Sequence, residues 1–158
     1  MTPAAPICTA LDLAPHLAAL PRPLVFTNGV FDLLHRGHTD CLRQARALGA
    51  ALVVGLNSDH SARGLGKAPG RPIVAEQDRA AVLAALAAVS LVVLFDEAAP
   101  LALLRQIQPE VYVKGGDYDM ATLPEAALVR SWRGRALALP YAQGHSTTAL
   151  VQRIRAVP

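Results

Sequence analysis

Five short apolar runs, separated by segments with helical periodicity, constrain the fold of this chain more than any other feature. The runs cover residues 24–28, 51–57, 90–95, 110–114 and 135–140. Between them, residues 39–50, 76–89 and 100–108 place Leu, Ala and Val three and four positions apart, which is typical of amphipathic helices. Strands that are apolar throughout and alternate with helices predict an α/β fold with a parallel sheet covered on both faces.

The size of the chain predicts a single domain of residues 1–158, with a core of about 24–156 and an N-terminal extension of 1–23. A net charge of +3 without a Lys/Arg run argues against a nucleic-acid partner and suits a small phosphorylated molecule. Two widely spaced cysteines, the lack of a signal peptide and the lack of a long apolar run predict a cytoplasmic protein without membrane contact.

Loops that follow the strands are the expected ligand sites, because parallel sheets bind ligands at their carboxyl edge. Residues 58–75 contain several glycines and prolines and no periodicity, so we predict a long mobile loop there.

The stretch TNGVFDLLHRGH, residues 27–38, carries the strongest chemical signal. It runs from a strand into a helix, where free backbone N–H groups and the helix dipole favour phosphate. His35 and His38 lie one helical turn apart and can donate to the same phosphate, and Gly37 keeps the approach free of a side chain. Zinc binding would need further ligands, and no Cys-x-x-Cys or His-Glu-x-x-His pattern is present. Two histidines without a role remain the plain alternative.

Other phosphate motifs fail on inspection. In the segment 64–70, Pro69 stands where a dinucleotide fingerprint requires its third glycine. A Walker loop would need Ser or Thr after Lys67, and Ala68 stands there. The broken glycine fingerprint disfavours an NAD-dependent oxidoreductase.

Several segments in order resemble the cytidylyltransferase-like nucleotidyltransferases with their HxGH signature. These are TNGVFDLLHRGH (27–38), GLNSD (55–59), GRP (70–72), Arg79, KGGDY (114–118) and GHSTT (144–148). The resemblance implies a Rossmann-like, doubly wound parallel sheet and nucleotidyl transfer. Its sugar-phosphate branch implies transfer of AMP from ATP to D-glycero-β-D-manno-heptose 1-phosphate, giving ADP-heptose for lipopolysaccharide precursors. It also implies Mg²⁺ carried by the triphosphate and a homo-oligomer.

One departure separates two branches of the family. Glycerol-3-phosphate cytidylyltransferases carry Arg-Thr-Glu-Gly before the STT ending, whereas this chain has Tyr-Ala-Gln-Gly at 141–144. CTP-dependent transfer to glycerol 3-phosphate or a similar polyol phosphate is therefore the second hypothesis. A nucleotide-sensing module without turnover is a third, which the intact histidines and charged loop disfavour.

The resemblance and the residue chemistry together assign roles. We expect His35, His38, Lys67 and Arg79 in catalysis, although Lys67 can equally be a solvated loop charge and Arg79 can pair with Asp78 or Glu76. The residues expected to bind the nucleotide are Thr27, Asn28, Gly29, Phe31, His35, Gly37, His38, Lys114, Gly115, Asp117, Ser146, Thr147 and Thr148. Those expected to bind the sugar phosphate are Asp32, Asn57, Asp59 and Arg71. Plain alternatives are helix capping for 146–148, a turn for 115–116 and an Asx turn for Asn57 and Asp59.

Overall fold

A computed structural model describes residues 3–66, 68–140 and 144–157. The strands are β1 (Ile7–Thr9), β2 (Leu24–Gly29), β3 (Ala51–Asn57), β4 (Leu91–Phe95), β5 (Val111–Gly115) and β6 (Arg135–Leu139). The helices of the described residues are α1 (Leu13–Ala18), α2 (Arg36–Arg46), α3 (Asp59–Gly64), α4 (Glu76–Ala84), α5 (Leu101–Ile107), α6 (Pro124–Ser131) and α7 (Thr147–Arg155).

All six strands form one parallel sheet in the order β1-β4-β3-β2-β5-β6. Successive side chains of each strand point to opposite faces, so each apolar run supplies two cores. On one face, Phe26 and Val53 pack with side chains of α1, α5 and α6. On the other, Val25 and Val54 pack with side chains of α2 and α4. The predicted α/β fold with a doubly wound parallel sheet is confirmed.

The strand order reverses at β2. Its neighbours are β3 on one side and β5 on the other, so the loops after β2 and β5 leave the sheet in different directions. A crevice opens at such a switch point, at the carboxyl ends of the strands. Here those ends are Gly29 and Gly115.

The structure differs from the predicted elements in several places, among them the unpredicted helix α6. The periodic segment 39–50 marks only part of α2, which begins directly after His35, as the passage from strand to helix predicts, and so includes His38 in its first turn. The prediction of a loop throughout 58–75 is wrong at its start, because the Ser58 side chain accepts a hydrogen bond from the Ser61 N–H and caps α3. Residues 1–23 contribute β1, which pairs with β4, and α1.

Within the described residues, no helix combines the length and the apolar character that a membrane span requires.

Candidate active site

A cavity of about 310 Å³ lies at the carboxyl ends of β2 and β5. Most of the residues predicted to bind nucleotide or substrate, or to act in catalysis, line it. They are Thr27, Asn28, Gly29, Phe31, Asp32, His35, His38, Arg71, Lys114, Gly115, Ser146, Thr147 and Thr148. The switch point of the sheet therefore gathers side chains that are up to 121 positions apart in the sequence.

The two histidines of the cavity stack on each other. His35 is the N-cap of α2 in an extended conformation, and its carbonyl accepts the N–H of His38 at 2.9 Å. The imidazole rings lie 3.9 Å apart between centroids, with 25° between their planes. Both side chains line the cavity at a helix N-terminus, and neither belongs to the two apolar clusters that pack on the faces of the sheet. Both side chains are placed to approach the same anion.

The protonation of His35 is set by its surroundings. Burial lowers the pKa of His35, and the neighbouring His145 lowers it further. Their rings are 6.4 Å apart and nearly parallel. A lowered pKa keeps His35 a neutral imidazole at neutral pH, and a neutral imidazole carries one N–H donor and one acceptor nitrogen.

Gly37 gives His35 its room. A Cβ at position 37 would lie 2.9 Å from both Cε1 and Nδ1 of His35 and 3.2 Å from Cβ of His145. Ordinary contacts of a Cβ begin near 3.4 Å. Gly37 does not line the cavity itself, but its missing side chain lets the ring of His35 occupy its place.

Phe31 supports His38 from the other side. Its ring lies 5.3 Å from the His38 ring at 57°, and its backbone adopts a φ of 48°. Few bulky residues take a positive φ, and such strained positions cluster at functional sites. The Phe31 ring lies only 3.1 Å from where a Cβ of Gly29 would be, so Gly29 makes room for it.

A second helix N-terminus meets the cavity opposite α2. Ser146 caps α7, accepting a hydrogen bond from the Ala149 N–H at 3.0 Å. The Thr147 hydroxyl donates to the Leu33 carbonyl at 3.4 Å, which ties the start of α7 to the segment before α2. Two helix dipoles thus present their positive ends to one cavity, an arrangement that favours a polyanion.

Two cationic side chains complete the cavity. The Lys114 ammonium lies 5.3 Å from the centre of the Tyr118 ring and 3.5 Å from Asn28 Oδ1. Arg71 pairs through Nε with Asp32 Oδ2 at 2.8 Å. The Asp32 carboxylate also accepts hydrogen bonds from the N–H groups of Ile73 and Val74. One carboxylate therefore holds both the Arg71 side chain and the backbone that follows it. Asp32 therefore positions a cation at the cavity rim.

Arg79, Asn57 and Asp59 do not line the cavity. The Arg79 side chain is fully buried, donates to the carbonyls of Val30, Asn57 and Val74, and pairs with Asp59 at 2.6 Å. Its partner is Asp59, not the Asp78 or Glu76 of the plain alternative. The Asn57 amide donates to Ser61 Oγ, so it too is engaged within the protein. These contacts join β3, α3 and α4 behind the site.

Other residues named from the sequence lie outside the cavity lining or outside the described residues. Asp117 is exposed and lies outside the cavity lining. Lys67 and the segment 141–143 lie outside the described residues. Among the described residues, no group of three or more His, Cys, Asp or Glu side chains is arranged to hold a metal ion.

Six residues of the lining have no role predicted from the sequence, namely Val30, Cys41, Leu42, Ala62, Pro72 and Tyr118. Cys41 and Leu42 follow His38 by three and four positions on α2, so helical spacing was the signal that could have found them. Burial raises the pKa of the Cys41 thiol, which makes it an apolar wall of the cavity.

The family model described as cytidylyltransferase-like matches residues 26–153. The chain belongs to this family. The matched segment contains every described residue that lines the cavity.

Relatives within the family include two kinds of bacterial protein. The D-beta-D-heptose 1-phosphate adenylyltransferase of Bordetella bronchiseptica is 56% identical over 151 residues, which cover 94% of this chain and 93% of that protein. The bifunctional protein HldE of Magnetococcus marinus is 54% identical over 133 residues, which cover 84% of this chain but 27% of that protein. This chain therefore matches the first relative over nearly its whole length and only a part of the second.

Solved structures share the fold. The lipopolysaccharide core biosynthesis protein of Thermoplasma volcanium superimposes with a TM-score of 0.63 at 27% identity, over 77% of this chain and 98% of that one. The pantoate-beta-alanine ligase of Francisella tularensis gives a TM-score of 0.62 at 11% identity, over 89% of this chain and 68% of that one, which shows the fold alone.

Proposed function

We propose that this protein transfers AMP from ATP to D-glycero-β-D-manno-heptose 1-phosphate, giving ADP-heptose and pyrophosphate. The observation that carries the proposal is the stacked pair of His35 and His38 at a helix N-terminus in the cavity. The relative from Bordetella bronchiseptica, which matches over nearly the whole chain, supports the choice of sugar phosphate and nucleotide.

The chemistry requires charge stabilisation more than proton transfer. The sugar phosphate is an anion at neutral pH and attacks the α-phosphorus of ATP directly, while the bond to pyrophosphate breaks. An enzyme therefore has to align two polyanions and stabilise the charge that develops on the α-phosphate and the leaving group. His35 and His38 are placed to donate to the non-bridging oxygens of the α-phosphate.

The remaining groups of the cavity have complementary roles in this proposal. The start of α7 holds the β- and γ-phosphates through backbone N–H groups and the hydroxyls of Thr147 and Thr148. Lys114 lies at the end of β5, on the side of the loop expected to hold the nucleoside. Arg71 faces the sugar phosphate and is held in place by Asp32. A catalytic part for Lys67 stays a prediction.

Mg²⁺ enters this proposal as an ion carried by the triphosphate. The phosphate oxygens of ATP are hard ligands of the kind that Mg²⁺ prefers, and the ion would neutralise part of their charge. A cytoplasmic location and self-association are likewise predictions.

The experiment that tests the proposal is a substrate panel. The purified protein is incubated with Mg²⁺, one of ATP, CTP, GTP or UTP, and one of heptose 1-phosphate, glucose 1-phosphate or glycerol 3-phosphate. Pyrophosphate release is measured and the products are identified by mass. We expect ADP-heptose from ATP and the heptose phosphate. A CDP-polyol as the main product would establish the second hypothesis, and no pyrophosphate with any pair would refute nucleotidyl transfer.

A further inference from the structure

We infer that Tyr112 is a positioning residue for this reaction: its hydroxyl fixes the side chain of Asn28 so that the amide N–H₂ group, and not the oxygen, faces the phosphates. The inference rests on the proposed function and adds a residue that does not line the cavity.

Strand pairing brings the three residues involved together. Tyr112 of β5 is the register partner of Phe26 of β2, and its ring lies 6.2 Å from the Phe26 ring at 25°. Asn28 and Lys114 each lie two positions further along their strands and so share this face of the sheet. The Tyr112 hydroxyl donates to Asn28 Oδ1 at 3.0 Å, and Lys114 Nζ donates to the same oxygen at 3.5 Å.

The chemistry of these partners decides which way the amide points. An ammonium group only donates, so Lys114 requires the oxygen of Asn28 on its side. A reversed amide would place N–H₂ against the ammonium and leave the buried hydroxyl of Tyr112 without its acceptor. Tyr112 is 0% exposed, and burial raises its pKa far above the ordinary value, so the hydroxyl keeps its proton and remains a donor.

The other end of the amide is left for a ligand. Asn28 lines the cavity and is half-buried, and within the part of the chain that the structure describes its Nδ2 has no hydrogen-bond acceptor. An N–H₂ group at this place attracts phosphate oxygens, whereas a carbonyl oxygen would repel them. The hydroxyl of Tyr112 thus acts on the substrate through Asn28.

A double-mutant cycle tests this inference, with kcat/KM for ATP from pyrophosphate release and ATP affinity by calorimetry. Y112F keeps the ring and its packing and removes only the hydroxyl, and we expect kcat/KM to fall about 5- to 15-fold. In an N28A background, Y112F should change kcat/KM by less than about twofold, because the group it positions is gone. Equal losses in both backgrounds, or a lowered Tm with unchanged kcat/KM, would overturn the inference.

A second variant does not depend on the folding of Y112F. N28D changes only the N–H₂ group into a carboxylate oxygen, and we expect ATP affinity to fall further than in Y112F. Unchanged affinity in N28D would overturn the inference. A wild-type protein that never releases pyrophosphate would instead overturn the proposed function together with this inference, so the two failures are distinguishable.

Discussion

Replacing Gly37 with Ala tests whether the position of His35 limits the rate. The added Cβ would come within 2.9 Å of two atoms of the His35 ring and within 3.2 Å of His145 Cβ. Restoring ordinary contact near 3.4 Å requires the ring to move by about 0.5 Å. The ring has little freedom, since it stacks on His38 on one side and faces His145 on another.

The expected magnitude follows from this displacement. A misplacement of about 1 Å can cost about 100-fold in rate, so a shift of about half that size predicts a loss of about 10-fold in kcat/KM. This corresponds to a barrier higher by about 1.4 kcal/mol. Stability should change little, because Ala is favoured over Gly in a helix by about 1 kcal/mol, which offsets the strain.

The assay is steady-state pyrophosphate release, combined with urea denaturation of the same samples. Gly64→Ala is the matched control, because Gly64 is also helical and a Cβ there would meet nothing within 4 Å. We expect the control to keep wild-type kcat/KM. Wild-type kcat/KM in Gly37→Ala would refute the argument that the histidine ring needs this space.

Three further predictions concern the groups around the cavity. Arg79→Ala should lower the free energy of unfolding by about 3–5 kcal/mol, measured in urea, because it leaves Asp59, one buried carbonyl and two partly buried carbonyls without their donor. Unchanged stability with lost activity would instead support a catalytic role. Burial lowers the pKa of His35, so the folded state resists protonation of this imidazole. The stability that neutral His35 contributes is therefore complete above pH 6.5 and is lost as the pH falls below that value. His35→Gln should flatten the dependence of the free energy of unfolding on pH between about 7 and 5, and an unaltered slope would contradict the assignment. Asp32→Asn should raise KM for the sugar phosphate more than KM for ATP, because it releases Arg71 and the N–H groups of Ile73 and Val74. Equal effects on the two KM values would contradict the assignment of Arg71 to the sugar phosphate.

The sheet could be predicted from the sequence because each buried strand is a continuous apolar run with turn residues at its ends. Strand β1 could not be predicted, because it is three residues long and has one buried side chain, Cys8. It is defined by its pairing with β4. Helix α3 was missed because a single cap by Ser58 starts a helix of six residues, too short for a periodic signal.

The histidine pair of the site could be predicted because its chemistry is local to twelve consecutive residues. The partners of Arg79 could not be predicted, because they come from three separate segments. Only tertiary packing brings these segments around the buried guanidinium group. The link from Tyr112 to Asn28 spans 84 positions and depends on the register of β2 against β5, which no local pattern contains.

The central claim is that the stacked imidazoles stabilise charge in the transition state. The most direct measurement is a single-turnover comparison of wild type and His38→Ala with saturating ATP and heptose 1-phosphate, alongside the Kd for ATP. We predict a rate that falls 100- to 1,000-fold while the Kd changes by less than about threefold and the Tm stays near that of wild type. A rate within about threefold of wild type, or a loss explained wholly by weaker ATP binding, would contradict the claim.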